Sequence, residues 1–236
     1  MPYSLIEAQV TGRSIMSKQK TIGVVLSGSG VFDGSEIHEA VICLLALDRA
    51  GVNIKCYAPD IHLDEINHAT GEPTGAQRSV LIESARISRG NIHDLAQAKG
   101  TDVNGWIFPG GFGAAKNLSN VAVAGGEAEP NAEVARVINE ALDSQTPIGA
   151  CCIAPAMLAS AVKGTGRSLR LTIGNDPGTA GAIEAMGSQH VECAVDATVE
   201  DGDHRVVTAP AYMYDESISQ IAKGIESMVN TVVSWA

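Results

Sequence analysis

The sequence has few positive charges. Its 236 residues include 16 Lys and Arg against 27 Asp and Glu, which gives a formal net charge of −11. Nucleic acids and anionic membrane surfaces are themselves negative, so this balance argues against either as a partner. No uncharged apolar run reaches the roughly 18 residues that a membrane-spanning helix needs, so no such helix is expected.

Aromatic residues are also scarce, at 4%, while the hydrophobic fraction of 45% argues against disorder and predicts an aliphatic core.

We predict a single domain over residues 21–236, preceded by a poorly ordered N-terminal extension over residues 1–20. The extension lacks the apolar core of a secretory signal, and its single arginine, Arg13, makes a transit peptide unconvincing. A cytoplasmic protein is therefore expected.

Metal and nucleotide motifs are absent from the sequence. Its cysteines form no C-x-x-C pair, its histidines show no H-E-x-x-H spacing, and an odd count of five cysteines predicts free thiols in a reducing compartment. The glycine loop that begins at Gly28 does not match G-x-G-x-x-G, and no Walker A lysine is present. No metal and no cofactor is expected.

Apolar strand patterns alternate with helical patterns along most of the chain. The segment TIGVVL at residues 21–26 ends in a glycine loop, an apolar helix follows to about Ala50, and a second strand covers residues 52–58. This order predicts parallel βαβ units, and further strands are expected at residues 103–108, 147–151, 169–173, 191–199 and 205–208. The predicted fold is a three-layer α/β/α sandwich, flavodoxin-like, with a mostly parallel sheet. Residues 60–90 are predicted to form a long irregular excursion with one helical piece.

A cysteine follows one of these strands where a helix begins. In residues 149–155 (GACCIAP), Cys152 has Ala150 and Ala154 two positions away on either side. Small neighbours around a nucleophile at a strand-to-helix turn are typical of a nucleophile elbow, and the helix N-terminus favours the thiolate. The alternative is that Cys151 and Cys152 are both inert core thiols.

Two further features belong to the same end of the predicted sheet. Gly110 and Gly111 directly follow a strand, so their amides could bind an oxyanion, or they could form an ordinary turn. Glu39 lies in the first turn of a nearly all-apolar helix. It is either a partly desolvated acid–base group or a solvated residue that complements the helix dipole, whereas Glu36, or Asp33 or Ser35, is placed to cap the helix.

Five segments resemble one known family. They are residues 22–40 (IGVVLSGSGVFDGSEIHEA), 109–120 (PGGFGAAKNLSN), 152–158 (CIAPAML), 169–174 (LRLTIG) and 208–213 (TAPAYM). The chain resembles the PfpI-like superfamily, whose fold is that of class I glutamine amidotransferase domains. Within that superfamily it resembles the ElbB-type subfamily, which is associated with isoprenoid biosynthesis and comprises amidotransferase-like proteins and glyoxalases.

The resemblance implies roles for particular residues. It places the superfamily's nucleophile on Cys152, its first-helix glutamate on Glu39, and its oxyanion site on Gly110 and Gly111, with the Ile153 amide as a second donor. Many relatives carry a histidine about 20 residues after the cysteine. Here residues 170–176 read RLTIGND, so an amidotransferase triad is not expected.

These observations lead to one functional hypothesis and one alternative. The hypothesis is a glyoxalase III-type lyase, independent of glutathione and cofactors, which converts a small dicarbonyl such as glyoxal to glycolate, with deglycase as a side activity. The alternative is a non-enzymatic redox-sensing or chaperone-like regulator that uses the same cysteine. A homodimer is expected because the superfamily commonly dimerises.

Overall fold

The computed structural model describes residues 19–236, so predictions for residues 1–18 lie outside the described residues. None of the helices within 19–236 is both long and apolar enough to cross a membrane. The strands are β1 Thr21–Val25, β2 Asn53–Ala58, β3 His62–Ile66, β4 Pro73–Ser79, β5 Ile92–Asp94, β6 Gly105–Phe108, β7 Ile148–Cys151, β8 Arg170–Leu171, β9 Gln189–His190, β10 Val199–Asp201 and β11 Val206–Ala209. The helices are α1 Ile37–Arg49, α2 Val80–Ile87, α3 Phe112–Lys116, α4 Val121–Ala124, α5 Ala132–Asp143, α6 Ala154–Val162, α7 Pro177–Ala185 and α8 Ile218–Trp235.

The central sheet of the described chain has the strand order β10-β11-β7-β6-β1-β2-β5. Its neighbours pair in parallel, except that β10 pairs antiparallel with β11. The short connection between these two strands spans Gly202 and Asp203, where a hairpin turn is predicted from the sequence. The carboxyl ends of β1, β6 and β7 therefore lie side by side, which is where ligands bind in such sheets.

Two apolar clusters, one on each face of the sheet, make up the core. One contains residues of α5 and α6, such as Ile138 and Met157, and the other contains residues of α1 and α8, such as Leu47 and Ile225. Helix α6 has every residue buried, which accounts for its nearly continuous apolar sequence. This arrangement confirms the predicted three-layer α/β/α sandwich.

Several local predictions need correction. Residues 60–90 contain the predicted helical piece, as helix α2, but the rest of the segment forms a two-stranded hairpin, β3–β4, rather than an irregular excursion. The hairpin strands are largely exposed, so they lack the alternating apolar pattern that marks a strand. Helix α1 is capped by Glu36, whose carboxylate accepts from the Glu39 amide, and not by Asp33 or Ser35.

The chain between residues 174 and 201 also differs from the prediction. The expected strand at residues 191–199 is wrong, because only the short strands β9 and β10 form near its two ends. Helix α7 is not predicted from the sequence, since Gly178 and Gly181 disfavour a helix by local propensity. The carboxylate of Asp176 starts this helix by accepting from the Thr179 amide at 2.7 Å.

Candidate active site

Cys152 occupies a strained turn between β7 and α6. Its φ is +60°, a left-handed conformation that is uncommon outside glycine and that costs on the order of 1–3 kcal/mol. The Cys152 amide donates to the carbonyl of Ala209 on the neighbouring strand β11 at 3.0 Å, which holds the turn in place. The residue is 7% exposed. The predicted strand–cysteine–helix elbow is therefore present, with the side chain at the floor of a cavity.

Glu39 is fully buried at the start of α1. Its Oε2 accepts from the Gly110 amide at 3.0 Å, and its Oε1 accepts from the Tyr212 amide at 3.1 Å. No salt bridge joins this carboxylate to a cation within residues 19–236. Burial, helped by the nearby charge of Glu36, raises the pKa of Glu39 from 4.5 to about 7. The alternative of a solvated first-turn glutamate is wrong.

Gly110 brings the cysteine and the glutamate together. A Cβ atom at this position would lie 2.4 Å from Cβ of Cys152 and 2.6 Å from Oε2 of Glu39. Only glycine leaves room for both side chains to pack against the backbone here. The Gly110 amide donates its hydrogen bond to Glu39. It therefore holds the glutamate in place, which is a different role from that of an oxyanion donor.

The backbone amides of Gly111 and Ile153 favour the charged form of the Cys152 sulfur and so act to lower its pKa. Gly111 has a φ of +94°, which the glycine-rich loop after β6 permits. Burial and the negative charge of Glu39 outweigh these amides and raise the pKa of Cys152 well above its ordinary value. The amides at the start of the helix thus favour the thiolate, as the sequence predicts, but burial beside a carboxylate acts more strongly in the opposite direction.

The cavity above Cys152 has a volume of about 420 Å³. It is lined by Val31, Glu36, Gly111, Phe112, Cys152, Ile153, Asp176, Thr179, Tyr212 and Met213. Sequence analysis does not identify the contributions of Asp176, Thr179 and Tyr212. Of these, only Tyr212 lies in a segment that carries the family resemblance, and nothing in its residue type shows that its backbone binds a glutamate.

The histidines of residues 19–236 do not line this cavity. Nδ1 of His38 lies 3.0 Å from the Tyr212 hydroxyl, and His190 accepts from the Ile173 amide at 3.4 Å. Nor does the described chain contain a group of three or more His, Cys, Asp or Glu placed to hold a metal ion. The arrangement is a thiol beside a carboxyl group that titrates near neutrality. Such a pair can add sulfur to an electrophilic carbon while the carboxyl group takes and returns a proton.

Comparisons with known proteins show relatives over most of the chain. The chain is 44% identical over 224 residues to the human glutamine amidotransferase-like class 1 domain-containing protein 3, mitochondrial, covering 90% of this chain and 82% of that protein. It is 43% identical over 223 residues to the mitochondrial ES1 protein homolog of Rattus norvegicus, with the same coverage. No family model matches the chain. Because both relatives are named as mitochondrial proteins, the predicted cytoplasmic location is contradicted.

Solved structures agree with this relationship. The chain superimposes with a TM-score of 0.85 and 36% identity on an isoprenoid biosynthesis protein with an amidotransferase-like domain from Ehrlichia chaffeensis, covering 92% of this chain and 99% of that one. It shares its fold with Drosophila melanogaster DJ-1beta, at a TM-score of 0.56 and 17% identity, covering 93% of this chain and 96% of that one. The chain belongs to the family of class I glutamine amidotransferase-like proteins that includes the mitochondrial ES1 proteins.

Proposed function

We propose that this protein is a glutathione-independent glyoxalase that converts glyoxal, or a similarly small dicarbonyl, to its hydroxy acid. The observation that carries the proposal is the placement of Cys152 and Glu39 against the same glycine, Gly110, in a buried site. A carboxyl group with a pKa of about 7 accepts a proton more readily than an ordinary glutamate and still releases it at neutral pH. The cavity of about 420 Å³ holds a small substrate.

The first step forms the covalent intermediate. Glu39, in its charged form, takes the proton of the Cys152 thiol as the sulfur attacks one aldehyde carbon of glyoxal. Glu39 passes this proton on to the carbonyl oxygen, which becomes a hydroxyl group, so that the product is a hemithioacetal and Glu39 is charged again. The amides of Gly111 and Ile153, which favour the charged form of the sulfur, would also stabilise the negative oxygen that forms during the attack.

The second step moves a proton between the two carbons. Glu39 removes the hydrogen of the sulfur-bearing carbon as a proton, which leaves an enediolate, and returns this proton to the second carbon, while the hydroxyl proton of the first carbon passes to the oxygen of the second. The result is a thioester of Cys152 with a hydroxymethyl group. Water then hydrolyses the thioester, which releases glycolate and restores the thiol. The sum is glyoxal plus water giving glycolate and one proton, with no net oxidation.

The alternative, a redox-sensing or chaperone-like regulator, is less well supported by the site. Oxidant sensing depends on the thiolate, and the pKa of Cys152 lies well above its ordinary value. An amide-hydrolysing role is also poorly supported, since in the described chain no histidine lines the cavity to act as the base of a cysteine–histidine pair.

We also propose that the protein is a homodimer. Three exposed apolar side chains, Ile37, Val41 and Leu45, lie four residues apart along one face of α1 and are 42–48% exposed. Such a stripe on a globular domain indicates a contact surface. Light scattering after size exclusion should give twice the chain mass for the wild type and the single-chain mass for Val41→Glu.

Steady-state conversion of glyoxal to glycolate, without glutathione, tests the proposed activity. Turnover should be present in the wild type and absent in Cys152→Ala. Cys193→Ala, which removes a half-buried thiol outside the cavity, is the matched control and should keep full activity. Absence of glycolate with a reduced, unmodified Cys152 would overturn the proposal for this substrate.

A further inference from the structure

The candidate active site is acidic at its walls as well as at its floor. The charged side chains that line the cavity are Glu36 and Asp176, which come from distant parts of the sequence and from different helix starts. Both are half-buried. Each is fixed by a backbone amide, because Glu36 accepts from Glu39 at 2.7 Å and Asp176 accepts from Thr179 at 2.7 Å. The two carboxylates are thus held at the cavity rather than free to swing into solvent.

No lysine or arginine of residues 19–236 lines this cavity to balance them. Lys116 contacts a lining residue, with its Nζ 5.1 Å from the centre of the Phe112 ring. That ammonium group donates to the carbonyl of Phe32 at 3.1 Å, outside the lining. His38 is engaged with the Tyr212 hydroxyl. The net charge of −11 adds a field of the same sign as the two carboxylates.

Helix N-termini, which usually attract anions, do not change this balance. The amide of Ile153 at the start of α6 acts on the sulfur of Cys152, whose charged form it favours. The start of α7 is occupied by the carboxylate of Asp176 itself. A helix end that already holds a carboxylate offers little to a second anion. The positive potential near the cavity is therefore directed at the sulfur and its oxyanion, and the walls remain negative.

We propose that the cavity selects neutral and positively charged carbonyl compounds and excludes anionic ones, with Asp176 and Glu36 as the specificity-determining residues. The substrate class is small aldehydes and dicarbonyls without carboxylate or phosphate groups, including those that carry an ammonium group. Phosphorylated and diphosphate-bearing metabolites are excluded. This inference rests on Cys152 as the reacting group of the proposed function, but not on which carbonyl compound it converts.

Two thiol reagents of opposite charge test the selection without any turnover. Trimethylammonioethyl and sulfonatoethyl methanethiosulfonate each form a mixed disulfide with a thiol and release methanesulfinate, so that they differ mainly in charge. At low salt, the rate of Cys152 modification by each reagent is the rate measured for the wild type minus the rate measured for Cys152→Ala. Each of these rates is then divided by the rate at which the same reagent modifies 2-mercaptoethanol. The normalised cation-to-anion ratio should exceed one in the wild type.

Charge removal at the cavity wall should lower that ratio. Asp176→Asn keeps a good helix cap and should reduce it by about fivefold, as expected for one unit charge several ångströms away in a partly shielded site. Glu36→Gln should act in the same direction, and any change that it causes in the reactivity of the sulfur cancels in the ratio. Asp48→Asn, an exposed charge at the far end of α1, is the matched control and should leave the ratio unchanged.

The inference is overturned if the ratio in the wild type is one or less, or if Asp48→Asn lowers it as much as Asp176→Asn does. It is also overturned if millimolar inorganic diphosphate protects Cys152 from the uncharged reagent methyl methanethiosulfonate. If glyoxal is not converted but the cation-to-anion ratio behaves as expected, only the proposed function is overturned. Turnover with no charge selection would remove only this inference.

Discussion

Two buried carboxylates in this protein are held in opposite ways. Glu39 is fully buried and is held by two backbone amides. Asp33 is 2% exposed, and its Oδ2 accepts from the Arg78 guanidinium at 2.6 Å and from the Ile66 amide at 2.9 Å. The first carboxylate lacks a counter-charge among the described residues, whereas the second is paired with one.

This difference distinguishes a carboxyl group suited to proton transfer from one that stabilises the fold. Arg78 also bonds Glu83 at 2.7 Å, so that Asp33 belongs to an ion-paired cluster that fastens the loop before α1 to the β3–β4 hairpin. Amides stabilise the charge of Glu39 less than burial disfavours it, which leaves its pKa at about 7. A buried acid without a counter-charge can exchange its proton near neutral pH, and a paired acid serves as an anchor.

The comparison predicts its largest effect on turnover. Glu39→Gln should lower glyoxal turnover by about 10²–10⁴-fold, the usual contribution of a general base, because the amide cannot take a proton. Asp33→Asn should leave turnover within about threefold of the wild type at a temperature where it is folded, since Asp33 does not line the cavity around Cys152. Steady-state assays of both variants measure the contrast. Equal losses of turnover in the two variants would contradict the predicted contrast.

Stability should respond in the reverse order. Asp33→Asn removes the charge that faces a partly buried guanidinium and should lower the free energy of unfolding by about 2 kcal/mol. Urea unfolding at pH 7 measures this change. Asp143→Asn, which breaks the exposed ion pair with Arg167, is the matched control and should cost no more than about 0.5 kcal/mol. If Asp33→Asn is as stable as the wild type, Asp33 does not act as an anchor.

A third contrast concerns pH. Because the folded-state pKa of Glu39 is raised, its neutral form contributes stability that is complete below about pH 4.5 and is lost as pH rises through about 7. A shift of this size corresponds to about 3 kcal/mol as an upper limit. Relative to Glu39→Gln, the wild type should therefore lose up to that much stability between pH 5 and 8.5. Urea unfolding of both proteins at the two values measures it, and a constant difference would contradict the raised pKa.

The sequence predicts the part of the site that local patterns encode. Cys152 stands between small residues at a strand end, and Glu39 heads an apolar helix, so both can be identified without any family resemblance. The raised pKa of Cys152 cannot be predicted in this way, because it depends on burial and on a carboxylate 113 positions away in the sequence.

Other parts of the site depend on tertiary placement that residue types do not show. The Tyr212 amide reaches Glu39 because Ala211 adopts a φ of +46°, which no local motif indicates. Asp176 enters the cavity at the start of helix α7, whose glycines disfavour a helix in the sequence. In the sequence, Asp33 is placed to cap a helix. In the structure its side chain instead binds Arg78, which is distant in the sequence and is not indicated by any local pattern.

The most direct test of the central claim is the pH dependence of Cys152 alkylation by iodoacetamide, an uncharged reagent, in the wild type and in Glu39→Gln. If Glu39 takes the thiol proton, the wild-type rate should rise through a pKa of about 7 and then level off before the thiol itself ionises. The Glu39→Gln rate should lack this step. Identical profiles in the two proteins would contradict the account.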